Sequence, residues 1–340
     1  MDERKQKILQ SIISDYISTA EPVGSRTLAK KYNLQVSPAT IRNEMADLEE
    51  LGFIEQPHTS AGRIPSDLGY RYYVDYLMEK RNVSEFEANV INTNFSVIKD
   101  LSNLIKQASM TLASLTNYTA VVFAPSMQER VAYQIKLIVL EKALVLIAIV
   151  MDDFTVQHVL VEVVQEVSQK DLDVLAGLVN QVLTNVPIGR LNAESIKKLY
   201  EYFGKIGKLL DAILDCLVEG SNKSKHKELA VDGIFNLMNQ PEFRNVQKLR
   251  DLSDHLNRTE NMADFLGKSL EARVNYSIGC ENLNATMSNC SIVIAPYGVN
   301  GRLLGSIGIV GPTRMPYEHV AAIVDAVSGS LAEKLAQILK

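Results

Sequence analysis

The stretch from Ser37 to Pro65 constrains the fold of this 340-residue chain more than any other. Ser37-Pro38 is a favourable helix start, because serine accepts a hydrogen bond from an otherwise unpaired amide and proline tolerates the first helical position. Gly52 is a favourable residue just beyond a helix end. The sequence therefore predicts a helix from Ser37 to Leu51. Apolar residues at helical spacing form its expected core stripe: Ile41, Met45, Leu48 and Leu51.

A short β-hairpin is predicted directly after this helix. Residues 53–57 and 63–65 read as two brief strands, and residues 58–62 as the turn between them. Pro57 and Pro65 limit pairing, because proline has no amide hydrogen to donate, so the hairpin is expected at an edge.

Helical patterns surround this pair of elements. Residues 4–20 place apolar side chains on one face, and a shorter helix is predicted over residues 25–32 with Ser25 as its N-cap. Another helix is predicted from Asp67 onward. Three helices, a hairpin and a further helix make the layout of a winged helix-turn-helix, which we predict for residues 1–81.

The leading turns of the helix that starts at Ser37 have the composition of a DNA-reading helix. Small residues allow close approach to a groove, Arg42 can grip guanine or phosphate, and Asn43 can pair with adenine. Residues 26–43 contain four basic residues and no acid, whereas the acidic residues of the helix follow from Glu44 onward. Positive charge is therefore predicted where phosphates would lie.

The predicted DNA contacts come from three places. The start of the 25–32 helix attracts anions through unpaired amides, and the hydroxyls and arginine of the hairpin turn can reach phosphates or a minor groove. Taken singly, each feature has an ordinary structural explanation; the ordered set favours DNA binding. The candidate residues are Ser25, Arg26, Thr27, Lys30, Ser37, Ala39, Thr40, Arg42, Asn43, His58, Thr59, Ser60 and Arg63.

The rest of the chain predicts an α+β protein. Residues 84–116 read as one or two long helices. Strands are predicted at 119–123, 135–140, 143–151, 155–164, 274–280, 291–296 and 303–310. Helices are predicted at 168–185, 192–218, 223–239, 246–257, 262–270 and 316–339. Because strands flank a helical block, one α+β domain with a helical insertion and two domains in series are both open.

Several functional classes lack support in the sequence. The histidines are scattered, and no phosphate loop, nucleophile elbow or dinucleotide fingerprint occurs, so no enzyme, metal site or cofactor is expected. The longest apolar run, residues 143–151, is too short for a membrane span and predicts a buried strand. Three separated cysteines and an N-terminus without an apolar signal region predict a cytoplasmic protein.

Two stretches carry a resemblance to a known family: VGSRTLAKKYNLQVSPATIRNEMADLEELGFI (23–54) and QPHTSAGRIPSDLGYRYYVDYL (56–77). They closely resemble the heat-inducible transcription repressor HrcA family, and the hairpin stretch SAGRIPSDLGYRYYVD is quite specific to it. Residues 295–315 look like the last domain of that family. The resemblance implies a repressor of heat-shock chaperone operons that binds an inverted-repeat operator on double-stranded DNA as a homodimer. It also implies a GroEL-type chaperonin as a partner, whose titration by unfolded protein relieves repression.

The family also implies a domain plan. After the winged helix at 1–81 and a helical connector at 82–117, we expect a GAF-like domain at 118–165 and 245–340. A mostly helical dimerisation domain is expected as an insertion at 166–244. Two questions stay open: whether the apolar helical faces form a subunit interface or only internal core, and whether a small molecule bound in the GAF-like domain gates the regulator instead.

Overall fold

A computed structural model gives the structure of the chain. It is a mixed α+β protein, as predicted. Its contacts divide the chain into two compact units, the first formed by Met1–Val122 with Ala230–Leu335 and the second centred on Phe123–Leu229. The structure describes residues 1–32, 34–58, 61–96, 101–123, 131–141, 143–151, 156–163, 166–184, 186, 193–204, 207–223, 229–256, 273–282, 284–299 and 302–338.

The first unit begins with the predicted helices and hairpin. Its elements in order are α1 (Glu3–Thr19), α2 (Ser25–Lys31), α3 (Pro38–Glu50), β1 (Ile54–Glu55), β2 (Ile64–Pro65), α4 (Asp67–Tyr72) and a π-helical turn at Tyr73–Leu77. Apolar side chains from α1, α2 and α3, among them Ile12, Leu28 and Ile41, are fully buried against one another. Burial of these faces is the main stabilising contribution to such a small helical cluster.

Two local predictions in this segment are wrong. The N-cap of α2 is Gly24 and not Ser25, which lies inside the helix with a buried side chain. Leu51 is not in the core: α3 ends at Glu50, and Leu51 serves as its C-cap with half of its surface exposed. Gly52 follows with a φ of +78°, a left-handed conformation that only glycine adopts without strain.

The β1–β2 hairpin is also paired with the segment that links α1 and α2. Ile54 lies opposite Pro65 in an antiparallel pair. Val23 extends this pairing, because its amide donates to the carbonyl of Arg63 at 2.8 Å and the Arg63 amide donates back at 2.9 Å. Gly62 lies so close to the Val23 carbonyl that an added Cβ would be 2.5 Å from the oxygen. The hairpin is therefore tied to the link between α1 and α2.

A five-stranded sheet forms the other part of the first unit. The elements are α5 (Glu85–Ser96), α6 (Leu101–Thr116), β3 (Thr119–Phe123), β7 (Leu229–Asp232), α10 (Val246–Leu256), β8 (Asn275–Ile278), β9 (Cys290–Val299), β10 (Arg302–Pro312) and α11 (Tyr317–Ile338). The strand order is β7-β3-β10-β9-β8, with β9 antiparallel to both β8 and β10. The described part of residues 84–116 thus forms two helices. Many of the apolar side chains of α11 are fully buried.

The helix predicted at 223–239 is wrong. Its described part contains β7, which joins the edge of the sheet beside β3, and a 3-10 turn at Ile234–Asn239. Gly233 separates the two with a φ of +71°, a conformation that ends either regular element. The helix predicted at 262–270 lies outside the described residues.

The second unit is a three-stranded antiparallel sheet covered by helices. Its elements are β4 (Ala132–Glu141), β5 (Leu144–Met151), β6 (Val156–Glu162), α7 (Gln169–Leu183), α8 (Ala193–Phe203) and α9 (Gly207–Lys223). The order is β4-β5-β6, and the inner faces of the strands share one apolar core with the helices. The helix predicted at 192–218 is interrupted after Phe203, where Gly204 has a φ of +45°.

The domain boundaries expected from the sequence differ from this grouping. Residues 118–165 were expected to share a domain with 245–340, but only β3 of that stretch belongs to the five-stranded sheet. The later strands pair with their neighbours in sequence and pack on α7 and α9, because local antiparallel pairing buries the apolar inner face at once. The separate unit therefore holds strands as well as helices. No described helix has both the length and the apolar character required to cross a membrane.

Candidate nucleic-acid interface

The start of α3 is built as the sequence predicts. The Ser37 hydroxyl accepts a hydrogen bond from the Thr40 amide at 3.1 Å, and the two hydroxyl oxygens lie 3.0 Å apart. Behind the helix, Ile41 and Leu48 are fully buried. On the opposite side Arg42 and Asn43 are exposed. The helix is thus anchored by its apolar stripe while its leading turns face outward.

The basic residues of this region differ in how they are used. Lys31 forms an ion pair with the buried carboxylate of Asp15, which ties α2 to α1. Arg26, Lys30 and Arg42 are exposed, and within the described ranges their side chains form no ion pair or hydrogen bond. Three cations therefore remain available to an external anion on the α2–α3 surface.

Acidic side chains of α3 are neutralised from α1. The Lys5 ammonium lies 2.9 Å from Glu44 and 3.0 Å from Asp47, and Arg4 lies 3.4 Å from Glu44. Hydrogen bonds to Glu44, then to Asp47, raise the pKa of Lys5 above its ordinary value, so the lysine stays charged. Negative charge in the middle of α3 is thereby offset by cations of the same unit.

The hairpin turn is described only in part. His58 is exposed, and its carbonyl accepts from the Ala61 amide at 2.9 Å, which closes the turn. Thr59 and Ser60 lie outside the described residues. Arg63 lies at the base of the hairpin and not at its tip: its Nε and Nη2 atoms are 2.9 and 2.8 Å from one oxygen of Glu49. This arginine therefore joins the hairpin to the end of α3.

The remaining candidates separate by exposure. Thr27 and Ala39 are exposed and Thr40 is half-buried, so they share the outward surface with Arg42. The side chain of Ser25 is buried, which leaves only its backbone near that surface.

Sequence reasoning missed the residues that fix the orientation of the hairpin and of the helix after it. Glu49 was assigned only to the acidic end of α3, but it holds Arg63. Gly69 lies where any Cβ would overlap the carbonyl oxygen of Phe53. A glycine inside a predicted helix was the available signal, since such a glycine costs helix stability unless close packing requires it.

Comparisons with known proteins agree along the length of the chain. A family model for the HrcA protein C-terminal domain matches residues 102–321. The heat-inducible transcription repressor HrcA of Desulforamulus reducens is 40% identical over 342 residues, covering 100% of this chain and 99% of the relative. The repressor of that name from Carboxydothermus hydrogenoformans is 42% identical over 334 residues, covering 98% of each.

One solved structure shares the fold. It is a crystal structure of a hypothetical protein at 2.2 Å resolution, which superposes with a TM-score of 0.62 at 21% identity and covers 99% of both chains. The sequence identity to the repressors, which extends over the N-terminal segment and the C-terminal domain alike, decides the family. The chain belongs to the HrcA family of heat-inducible transcription repressors.

Proposed function

We propose that residues 1–81 form a winged helix-turn-helix that reads operator DNA, with α3 in the major groove and the β1–β2 hairpin as the wing. The observation that carries the proposal is the two-sided character of α3. Ile41 and Leu48 are fully buried behind it, while Arg42 and Asn43 project outward without a partner inside the described chain. A recognition helix needs this arrangement, because base edges are read by side chains of its N-terminal turns.

The contacts divide into base-reading and phosphate-binding groups. Arg42 and Asn43 are proposed to read bases, and Arg26 and Lys30 on α2 to contact phosphates. The further proposed contacts are Thr27, Ser37, Ala39, Thr40, His58, Thr59, Ser60 and the backbone of Ser25. Arg63 is proposed to orient the wing rather than to bind DNA directly, because its ion pair with Glu49 would have to break first.

Operator binding is the first test. Duplexes recovered from a random pool by the wild-type protein, and a scrambled duplex, are titrated at fixed salt. Arg42→Ala is expected to weaken operator binding by about 1–3 kcal/mol with a smaller effect on the scrambled duplex. Arg250→Ala, which removes an exposed arginine from α10, serves as the control. Equal losses on both duplexes would show that Arg42 touches only phosphate; no loss would remove α3 from the interface.

The protein is further proposed to act as a homodimer on an inverted repeat. Two copies of one reading helix match two half-sites related by a twofold axis, and specific affinity grows when both are engaged. The second unit supports this, since the outer face of its sheet is apolar and open: Ile138, Leu146 and Leu160 lie side by side across β4, β5 and β6. More than a third of the surface of Ile138 and half that of Leu160 is exposed.

Such a face fits an interface between copies, since exposed apolar patches of this kind mark association sites. Leu160→Lys is expected to yield monomers in light scattering at concentrations where the wild type is dimeric. Lys170→Glu, an exposed change at the start of α7, is the control. A dimer that persists in Leu160→Lys would place the interface elsewhere.

The proposed function includes control by a GroEL-type chaperonin in the cytoplasm. Titration of the chaperonin by unfolded protein would lower the pool of active repressor during heat stress. Operator binding is expected to fall after mild heating and to recover when chaperonin and ATP are added. Recovery in buffer alone, or none with chaperonin, would contradict this regulation.

A further inference from the structure

Helix α4 is fixed on one side to the segment that holds α1, α2, α3 and the β1–β2 hairpin, which we call the reading segment. The Ser66 hydroxyl donates to the Gly52 carbonyl at 2.5 Å, directly after α3. Gly69 packs against the backbone of Phe53 so closely that no side chain fits between them. Helix α4 is therefore packed directly against the end of α3 and the start of the hairpin.

Arg71 fixes the same helix to the edge of the five-stranded sheet. Its Nε and Nη2 atoms donate to the two oxygens of Glu281 at 2.7 and 2.5 Å, and Nη2 also donates to the Tyr276 carbonyl at 3.0 Å. Partial burial raises the pKa of Glu281, but the hydrogen bonds from Arg71 and from the Ile278 amide outweigh it and leave the pKa below its ordinary value. A two-pronged arginine–carboxylate pair constrains angle as well as distance.

Two further hydrogen bonds join α4 and the π-helical turn to the part of the first unit that contains the five-stranded sheet and α11, which we call the sheet domain. The Cys280 amide donates to the Asp67 carboxylate at 2.8 Å, and the Tyr73 hydroxyl donates to Glu318 at 3.0 Å. Gly279, with a φ of +52°, makes room for Asp67, because a Cβ at this position would overlap the carboxylate.

Helix α1 provides a second attachment. The Arg314 guanidinium donates to the Ile17 carbonyl at 3.2 Å, in the last turn of α1, and binds Glu242 with its other edge. A cation at this position satisfies a carbonyl that the helix leaves unpaired and complements the helix dipole. The reading segment is thus held through two helices, which restricts its rotation about either attachment.

These contacts leave the reading surface open, since Arg42 and Asn43 are exposed. They orient α3 and do not cover it. In a duplex, each base pair added between two half-sites turns one about the axis by roughly 35° and moves it by roughly 3.4 Å. A helix that is held rigidly loses contacts with a half-site displaced in this way, whereas a helix that rotates freely keeps them at a small cost in free energy.

We propose that Arg71 and Glu281 are positioning residues that set the half-site spacing accepted by the dimer. The proposal rests on the DNA-binding function proposed above. The new element is that an ion pair between α4 and the sheet domain, at residues that do not contact DNA, determines which half-site spacing is bound. Pre-orientation also removes part of the ordering cost of binding two half-sites together.

The test measures binding to three kinds of duplex at one salt concentration: the inverted repeat recovered by the wild type, the same repeat with one or two base pairs added or removed between half-sites, and a single half-site. The variants are Arg71→Ala, Arg71→Lys, Glu281→Gln, Gly279→Ala and the exchange of Arg71→Glu with Glu281→Arg. Arg273→Ala is the matched control, because Arg273 precedes β8 and pairs with Asp325 inside the sheet domain. Far-ultraviolet circular dichroism verifies folding of each variant.

The wild type is expected to lose at least about tenfold in affinity when the spacing changes. Arg71→Ala and Glu281→Gln are expected to lose about tenfold on the recovered spacing, as for a charged hydrogen-bond pair, and to bind the altered spacings nearly as well. Half-site affinity stays unchanged. Arg71→Lys keeps the charge but loses the two-pronged bond, and Gly279→Ala keeps both charged groups but displaces Asp67. Both are expected to reduce the difference in affinity between the recovered and the altered spacings. The charge exchange is expected to restore part of that difference.

An unchanged spacing profile in Arg71→Ala and Glu281→Gln would overturn the positioning role, as would tighter binding of either variant to the recovered repeat. If the wild type bound neither repeat nor half-site, the DNA-binding function itself would fail. Because the half-site is measured separately, the two failures cannot be confused.

Discussion

Arg314 offers the sharpest test of how the first unit is held together, because the end of α1 and the turn at residues 240–242 both bind its buried guanidinium. It lies 2.6 Å from Glu242 through Nε, 2.9 Å from the Gln240 side-chain oxygen through Nη2 and 3.2 Å from the Ile17 carbonyl through Nη1. Replacing it by methionine keeps most of the apolar volume and removes all of these bonds. Glu242 is then left without its cation.

The expected cost follows from burial. Removing one partner of a fully buried ion pair costs about 3–5 kcal/mol. The Glu242 side chain is 24% exposed, so water partly solvates the abandoned carboxylate, and we expect about 2–3 kcal/mol from the combined loss. For a cooperative unit of this size, Tm falls by about 2–4 °C for each kcal/mol lost from the free energy of unfolding, which predicts a fall in Tm of about 4–12 °C.

Calorimetry of the full chain is the suitable assay, because it can separate the transitions of two units. Glu242→Gln and the double variant with Arg314→Met complete a thermodynamic cycle, whose coupling we expect at about 1–3 kcal/mol. Arg250→Met removes an exposed arginine elsewhere in the same unit and should leave Tm unchanged. A Tm of Arg314→Met within about 1 °C of the wild type, or additive single effects, would refute the reasoning.

Three other changes test the packing. Ile41→Ala deletes a fully buried side chain and should cost about 2–5 kcal/mol in urea unfolding; a cost under about 1 kcal/mol would contradict its burial. Gly69→Ala should destabilise by about 1–3 kcal/mol because its methyl group meets a backbone carbonyl, whereas Gly177→Ala, with open space around it, should be neutral or stabilising; similar effects of both would refute the close approach. At pH 8, iodoacetamide should label the exposed Cys280 well before Cys290, since burial raises the pKa of Cys290 to about 12 and keeps it as a neutral thiol; peptide mass mapping with equal labelling rates would contradict this.

Local signals in the sequence were sufficient for the elements of the reading segment. The Ser37-Pro38 start, the apolar spacing behind Ile41 and the position of Gly52 each depend on near neighbours, and the structure has α3 at Pro38–Glu50. The error at Leu51 arose because periodicity continues past the last helical residue, whereas the chain turns away there. A pattern alone does not state where a helix stops.

Local sequence patterns do not predict which strands pair when they lie far apart in the chain. β7 was assigned to a helix because its four residues gain strand structure only from β3, more than a hundred residues earlier. In the same way, β4, β5 and β6 were read correctly as strands, but nothing local says whether they join the later strands or form a sheet of their own. Side-chain partners such as Glu281 for Arg71 are equally remote in sequence, and only the folded chain brings them together.

The charge of the chain explains why the proposed DNA-binding surface had to be sought in a local arrangement of residues. The net charge is −5, which by itself disfavours a polyanion. The structure pairs acids of α3 with Lys5 and Arg63, which leaves Arg26, Lys30 and Arg42 as exposed cations on the α2–α3 surface. If only these three cations of each copy meet phosphates, phosphate contacts supply limited affinity. Under the proposed function, tight binding then comes from base reading and from joining two copies at a defined spacing, so the attachment of α3 to its unit matters as much as its exposed surface.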